Sequence, residues 1–332
     1  MASTTTEPDV QQPEPEGRRS RRESRRERRL KRESDRASGA LYPRWYWPSF
    51  AAPAIIYLAV FFVVPFYVIL GVAFGTRDPV DLSPIPVWEP WWWTGIAGRK
   101  VFQRIVDFQW PVYVRTFEFV FIASALCVII GYLVAYYVAR FGGKRRGLYL
   151  ALLIAPFFIS YLMRMLAWIN LLAPDGYMTR FMNVLPLVPH HVDWLGNSPF
   201  TLVMGLVYGY VPYMILPLYG FLDSIGKDLL EAGRDLGASP SRTFLRVMLP
   251  LSRPAILAGL VIVSLPMFGD YYTHDLLTPS PKVSMIGNAL DSAVYQAGHG
   301  AEAAIYVLIL VAILFVPLVY YLIATKRQME AR

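Results

Sequence analysis

Ionisable side chains set inside apolar stretches are the residues best placed to do chemistry in this sequence, and there are few of them. Arg164 interrupts LLIAPFFISYLMRMLAWINLL, Glu118 stands near the start of FEFVFIASALCVIIGYLVAYYVA, and Asp270 closes PAILAGLVIVSLPMFGDYY. Trp168, Tyr271 and Tyr272 are close to two of them in the chain. Aromatic faces attract cationic amines, so Glu118, Asp270, Tyr271, Tyr272 and Trp168 are candidates for the wall of a path that carries one. A structural reading competes. Rings near a membrane edge act as interface anchors, and Arg164 would pair with Asp270 or Glu118 to hold two segments together. Pairing is preferred for Arg164, because a free cation would repel an amine; for Asp270 both readings stay open.

Other chemistry has little to stand on. Cys127 is the single cysteine and sits in an apolar run, which rules out a disulfide within the chain and any CxxC site. The four histidines include the adjacent His190 and His191 but no HExxH spacing, and a solvated pair is expected there in preference to a metal site. A membrane-embedded enzyme built on Arg164, Asp270 and the histidines would need catalytic groups paired at one depth, and none is evident. A phosphate-binding GxxxxGK[ST] loop is also missing: Gly226-Lys227 lacks the upstream glycine and is followed by Asp228. No nucleotide-hydrolysing loop of this kind is therefore expected in the chain.

The elements that must position these residues are membrane spans. Of 332 residues, 55% are apolar and 17% charged, richer in apolar side chains than an average soluble domain. Residues 1–46 hold 12 of the 32 Lys and Arg in a polar run, RRSRRESRRERRLKRESDR; with little to bury, this tail is expected to be disordered. Just ahead of a hydrophobic span, it reads as a cytoplasmic topogenic signal that meets anionic lipid, in preference to nucleic acid. No cleavable signal peptide is expected, since the apolar run that follows is much longer than an h-region. Six stretches reach the roughly 20 apolar residues a spanning helix needs: 47–74, 117–139, 148–172, 200–222, 254–272 and 303–324. Pro65, Gly131, Pro156, Pro212, Pro217 and Pro266 fall inside them, as kinks that suit cavity-lining helices or as ordinary irregularity. The expected organisation is a basic tail (1–46), a six-span domain (47–325) and a short C-terminal end (326–332).

Charge sets the orientation. With the N-terminus inside, 24 basic residues face the cytoplasm, 7 face outward and Arg164 lies between, which puts both termini in the cytoplasm. At 1.5 Å per residue from the inner ends, Arg164 and Asp270 each lie about 25 Å along their spans, toward the outer mouth. Glu118 falls near the outer start of the second span. The first outer loop, VWEPWWWTGI, has the aromatic content of a segment at the membrane interface.

Between the fourth and fifth spans, DSIGKDLLEAGRDLGASPSRTFLRVMLPLSRP is expected to form two short cytoplasmic helices. Leu229, Leu230, Ala232 and Leu236 supply a partly apolar face to the first, 223–236. Gly237 stops it in a left-handed conformation, Ser239 caps the second helix and Pro240 suits its first position. The second, 240–249, is expected to end before Pro250. A compact amphipathic helix pair on the cytoplasmic face is a docking element for a partner.

This loop resembles the EAA loop of binding-protein-dependent ABC importer permeases, whose pattern is Glu-Ala-Ala, three residues, Gly, nine residues, then Ile-x-Leu-Pro. Glu231, Ala232 and Gly233 occupy the triplet, Gly237 the glycine, and Val247, Met248, Leu249 and Pro250 the closing segment. Gly233 departs from Ala, and Val247 from Ile. The resemblance implies an all-α membrane protein of the type I ABC importer permease fold, with six transmembrane helices, both termini cytoplasmic, in a bacterial inner membrane. It implies that the segment from Glu231 to Pro250 couples to a separate ATPase that binds ATP and Mg, and that this chain carries no cofactor. The implied assembly has a second homologous permease, two ATPase subunits and an extracytoplasmic solute-binding protein.

Other segments are similar to the spermidine/putrescine branch of that family, most closely its B-subunit type. They are the third span with Pro156, Ser160, Arg164, Ala167, Trp168 and Gly176, and LPMFGDYYTHDLLTPSPKVSMIGNAL at the exit of the fifth. Tyr272-Thr273-His274 stands where Val-Thr-Pro is usual, and Thr278-Pro279-Ser280 where glycines are common. The implied cargo is a polyamine, with opines, aminoalkylphosphonates and ferric iron as alternatives. An ion-coupled secondary transporter would more often show inverted repeats and midplane carboxylates.

Overall fold

A computed structural model describes residues 46–80, 82–89, 93, 96–184 and 193–330. Residues 1–45 of the basic tail, residues 90–92, 94 and 95 of the tryptophan-rich outer segment and the His190-His191 pair lie outside the described residues. The chain divides into two units, Met1–Pro65 and Phe66–Arg332. The first holds α1 (Tyr46–Leu58) and a π turn, Ala59–Val63, and α2 (Val64–Ala73) starts at its end and lies mostly in the second. All the candidate functional residues belong to the second unit.

Uncharged apolar runs fold as helices here because a helix satisfies its own backbone groups where no water can. After a two-residue antiparallel ladder, β1 (Thr76–Arg77) with β2 (Pro84–Ile85), the chain forms α3 (Ile96–Phe141), α4 (Arg146–Ile154), α5 (Tyr161–Leu172), α6 (Tyr177–Val184) and α7 (Pro199–Ser224). Next come the loop helices α8 (Lys227–Asp235), α9 (Pro240–Thr243) and α10 (Leu249–Leu251). The chain ends with α11 (Arg253–Phe268), α12 (Tyr272–Leu277), α13 (Ile286–Tyr295) and α14 (Gly300–Glu330).

Four described helices are long and apolar enough to cross a membrane: Ser49–Ala73, Trp110–Phe141, Pro199–Ser224 and Gly300–Tyr320. Six spans are reached when two bent pairs are each counted as one: Gly143–Phe158 with Tyr161–Phe181, bent by 87°, and Pro240–Leu251 with Arg253–Phe268, bent by 61°. The expected straight third span is therefore broken. Pro156 opens a 3-10 turn, Ala155–Phe158, and Ile159 follows in extended conformation. Arg164 lies beyond this break, so a rise counted along one helix does not give its depth. The fifth span is shorter than expected: α11 ends at Phe268 and leaves Gly269, Asp270 and Tyr271 between helices.

The core of the second unit lies where α3, α7 and α11 pack together. Val120, Ala123 and Cys127 on α3, Leu202, Leu206, Leu218 and Leu222 on α7, and Val263 and Met267 on α11 are buried in one cluster. Their three- and four-residue spacing puts each set on one helix face. A second cluster joins Tyr113 of α3 to Ile286 of α13 and Ile305 and Tyr306 of α14. There Thr116 Oγ1 accepts from the Ile286 amide at 2.9 Å, which seats the start of α13 against α3.

Candidate functional site

Two regions hold the residues singled out above. The first is the loop from Lys227 to Leu251. Gly237 has φ 80°; its N–H donates to the Arg234 carbonyl at 2.8 Å, and the Ala238 N–H donates to the Gly233 carbonyl at 3.1 Å. These paired bonds close α8 as a Schellman motif, whose left-handed residue is best supplied by glycine. Ser239 Oγ then accepts from the Arg242 amide at 3.3 Å, and Pro240 opens α9. A Cβ on Gly233 would lie 3.3 Å from Thr243 Cγ2, so the departure from alanine accompanies a close approach of α8 to α9.

Two expectations about the loop need correction. Its first helix begins at Lys227, because α7 runs on to Ser224 and Ile225 and Gly226 are extended. Its second does not stop before Pro250. A π turn, Phe244–Met248, carries the helix into α10, with the Leu249 N–H donating to the Phe244 carbonyl. That wider turn relieves the clash between a proline ring and the preceding turn of a regular α-helix.

The loop has an outer and an inner side. Leu236 is 89% exposed and Leu245 59%, and Glu231 and Ala232 are exposed beside them. Leu230, Phe244 and Leu249 pack inward on the core, and Met248 is fully buried. Phe244 meets the rings of Tyr132 and Tyr136 on α3 edge-on, at 5.5 and 5.6 Å. Tyr132 and Ser252 hydroxyls lie 3.1 Å apart. Arg140, near the end of α3, donates from Nη1 to the Ile225 carbonyl at 3.1 Å and reaches Met248 Sδ from Nη2 at 3.8 Å. One helix thus grips both ends of the loop.

The second region is a cavity of about 400 Å³ where α5, α7 and the break between α11 and α12 meet. Asp270 is 6% exposed and heavily hydrogen-bonded. Its Oδ2 accepts from the hydroxyls of Tyr161 and Tyr210, both at 3.2 Å, and of Thr273 at 2.7 Å. Its Oδ1 accepts from the Thr273 amide at 3.0 Å, as a residue capping the first turn of α12 does. The Tyr161 and Thr273 hydroxyls also meet each other; with one proton each, they make two of the three bonds of this triangle at a time. The Tyr161 ring fits because residue 209 is glycine: a Cβ there would lie 2.8 Å from Tyr161 Cε2. Tyr271 and Tyr272 stack with centroids 4.1 Å apart and line the same cavity.

The expected ion pair is not formed. Arg164 is 8% exposed, its Nε and Nη1 make no hydrogen bond to the protein, and among the described residues it pairs with neither Asp270 nor Glu118. Its guanidinium instead lies over the rings of Phe157, Tyr161 and Tyr208, at 4.3, 5.3 and 5.8 Å. The proposed wall is divided as well. Asp270, Tyr271 and Tyr272 share the cavity, but Trp168 does not line it and meets the Tyr208 ring edge-on at 5.4 Å. Glu118 lines a separate, mainly apolar groove between α3 and α7 with Phe119, Ile122 and Phe200. Tyr161, Tyr208 and Tyr210 were not singled out in the sequence, and Thr273 was named only as part of a departure from the family pattern, although Tyr161, Arg164 and Trp168 share one helix face by their spacing.

Comparison with known proteins follows this geometry. A model of the family described as binding-protein-dependent transport system inner membrane component matches residues 56–328. The spermidine/putrescine transport system permease protein PotB of Escherichia coli (strain K12) is 33% identical over 235 residues, covering 70% of this chain and 81% of that protein. Its namesake in Haemophilus influenzae is 31% identical over 277 residues, covering 81% and 91%. In the crystal structure of a bacterial alginate ABC transporter in complex with alginate pentasaccharide-bound periplasmic protein, one chain superposes with a TM-score of 0.66 at 16% identity, over 85% of this chain and 94% of that one. At that identity the likeness is one of fold. The apolar helices, the capped loop at the end of α7 and the family match agree: this chain is a multi-pass membrane protein that belongs to the binding-protein-dependent transport system inner membrane components, as the permease component of an ABC transporter.

Proposed function

We propose that this chain is the transmembrane permease subunit of an ATP-driven importer for small amines, with spermidine and putrescine, named in its relatives, as the first cargo to test. In this reading the bent pair Gly143–Phe158 with Tyr161–Phe181 is one span and α11 another, with α9 and α10 outside the membrane, giving six spans, with both termini in the cytoplasm of a cell with this chain in its inner membrane. A second homologous permease completes the path, a solute-binding protein delivers the cargo, and two ATPase subunits bind ATP and Mg.

The two-sided loop carries the coupling role. Its outer side, with Glu231, Ala232, Leu236 and Leu245, offers apolar and acidic groups to a partner, while Phe244, Met248 and Leu249 on its inner side are built into the core. Gly233 and Gly237 shape the turn between the two sides, and Val247 and Pro250 lie in the π-to-α stretch that joins them to α11. A push on the outer side would reach α3 through Phe244 and Arg140, and α11 through Ser252. Asp270, Tyr271 and Tyr272 lie beyond the far end of α11, where that motion would reshape the cavity.

The test is ATP-dependent uptake of radiolabelled spermidine and putrescine into proteoliposomes that hold the whole complex and its binding protein, beside a complex carrying Glu231→Lys. Uptake by the wild type and its loss in the variant is the expected result. Assembly with ATPase stimulation by the binding protein, but no entry of either amine, would remove the cargo and leave the importer.

A further inference from the structure

Glu118 belongs to neither the Asp270 cavity nor the coupling loop, yet its surroundings are unusual for a carboxylate. It lines a groove of about 420 Å³ between α3 and α7 whose other walls are apolar, and it is exposed. Among the described residues no Lys, Arg or His forms an ion pair with it. Ile122 and Leu126 on α3, with Val203 and Val207 on α7, continue the groove along successive helix turns. From Glu118 to Leu126 that track is about 12 Å long at 1.5 Å per residue. Both helices are long and apolar enough to cross a membrane. A hydrocarbon core takes roughly 20 helical residues, which, counted back from Arg140 at the other end of α3, reach about Val120. Glu118 therefore lies where hydrocarbon meets headgroups, with Arg115 one turn farther out. Arg115 Nη1 donates to the carbonyls of Pro281 and Lys282, which holds a positive charge at that level.

We propose that this groove binds one phospholipid with a primary-amine headgroup, an acyl chain lying between α3 and α7 and the ammonium on Glu118. The lipid phosphate, next to the ammonium, falls toward Arg115. The opposed charges of a zwitterionic headgroup thus meet opposed charges on one helix face, where residues three apart are neighbours. A primary ammonium gives the carboxylate a charge-assisted hydrogen bond. A choline headgroup has the charge but no N–H to donate, and an anionic lipid without an amine brings no partner for Glu118. A second copy of this chain fits less well. Its exposed apolar helices, α1 with α2 and residues 300–324 of α14, carry no Lys or Arg. Such a copy would cover the groove and leave Glu118 buried and unpaired, which is costly. The site needs only that α3 and α7 span the bilayer; it depends on neither the cargo nor the coupling role.

Photocrosslinking reads what lies in the groove. In the complete complex Ile122, a groove residue 41% exposed, is replaced by p-benzoylphenylalanine. The nanodiscs hold phosphatidylethanolamine and phosphatidylcholine in equal amounts with identical acyl chains. The probe meets the chains, which the two lipids share, so the ratio of adducts found by mass spectrometry reports which headgroup holds a chain there. Lipid extracted from the same nanodiscs gives the bulk ratio. With Glu118 intact, ethanolamine lipid is expected to be enriched at least ~5-fold over bulk, and Glu118→Gln to return the ratio to bulk. Glu118→Asp, which keeps the charge on a shorter stem, should fall between. A bulk ratio with Glu118 intact overturns the proposal, as does an undiminished preference in Glu118→Gln. It is also overturned if residue 122 captures no lipid and crosslinks to the second permease instead, because a protein helix then fills the groove.

Discussion

The loop from Lys227 to Leu251 and the cavity around Asp270 are built in opposite ways. In the loop, neighbours in sequence do the work: Gly237 closes α8 on Gly233 and Arg234, and Ser239 caps α9 three residues before Arg242. In the cavity, the carboxylate of Asp270 is met by Tyr161 and Tyr210, which are 109 and 60 residues away. A local motif can be carried intact from one protein to another, because its geometry needs no distant partner. A long-range cluster depends on every helix that brings a member to it. The two regions can therefore change independently on one scaffold.

The sharpest way to break this contrast is Gly237→Pro. Proline holds φ near −65° and has no N–H, so it can match neither the φ of 80° nor the bond to Arg234. The expected outcome is a chain still present in the membrane fraction with uptake abolished; uptake near wild type would show that the loop's shape is dispensable. Next in size is Gly209→Ala, which sets a methyl 2.8 Å from the Tyr161 ring. Overpacking of this kind costs about 1–3 kcal/mol, so the melting temperature in detergent should fall and cargo binding should weaken. An unchanged melting temperature would mean that the ring has room to move.

Tyr210→Phe removes one hydroxyl donor from Asp270, a loss of about 1.5–3 kcal/mol for a hydrogen bond to a charged group if no water replaces it. Thermal unfolding of the solubilised complex reads this effect, and ATPase stimulation should stay normal, because the loop is untouched. A fall in stimulation would show the two regions to be one unit. The smallest effect is expected from Ser239→Ala. Loss of the cap costs about 1 kcal/mol, visible as a modest fall in uptake with cargo binding unchanged. A change in cargo binding would refute the separation of the two regions.

How much could be read from the chain follows the same division. The caps at Gly237 and Ser239 and the start at Pro240 were legible because each is a rule about adjacent residues. The passage through Pro250 was not, since a π turn leaves no residue pattern that separates it from the stop proline ordinarily signals. Asp270, Tyr271 and Tyr272 were found because polar residues at the end of an apolar run stand out. Glu118 and Trp168 were grouped with them by depth alone, and depth along a span says nothing about which way a side chain faces. The break at Pro156 added to the error, because it turned the helix bearing Arg164 by 87°.

The sequence by itself determined that the chain is built of apolar helices, that the loop from Lys227 to Leu251 carries a permease pattern, and that no GxxxxGK[ST] run occurs in it. These depend on composition, periodicity and spacing, which are properties of neighbouring residues. Tertiary structure alone decided that Asp270 is satisfied by tyrosine and threonine, that Arg164 lies over aromatic rings, and that Glu118 lies in another groove. The partner a charge finds depends on how distant helices bend and approach, and that is set by packing over the whole core.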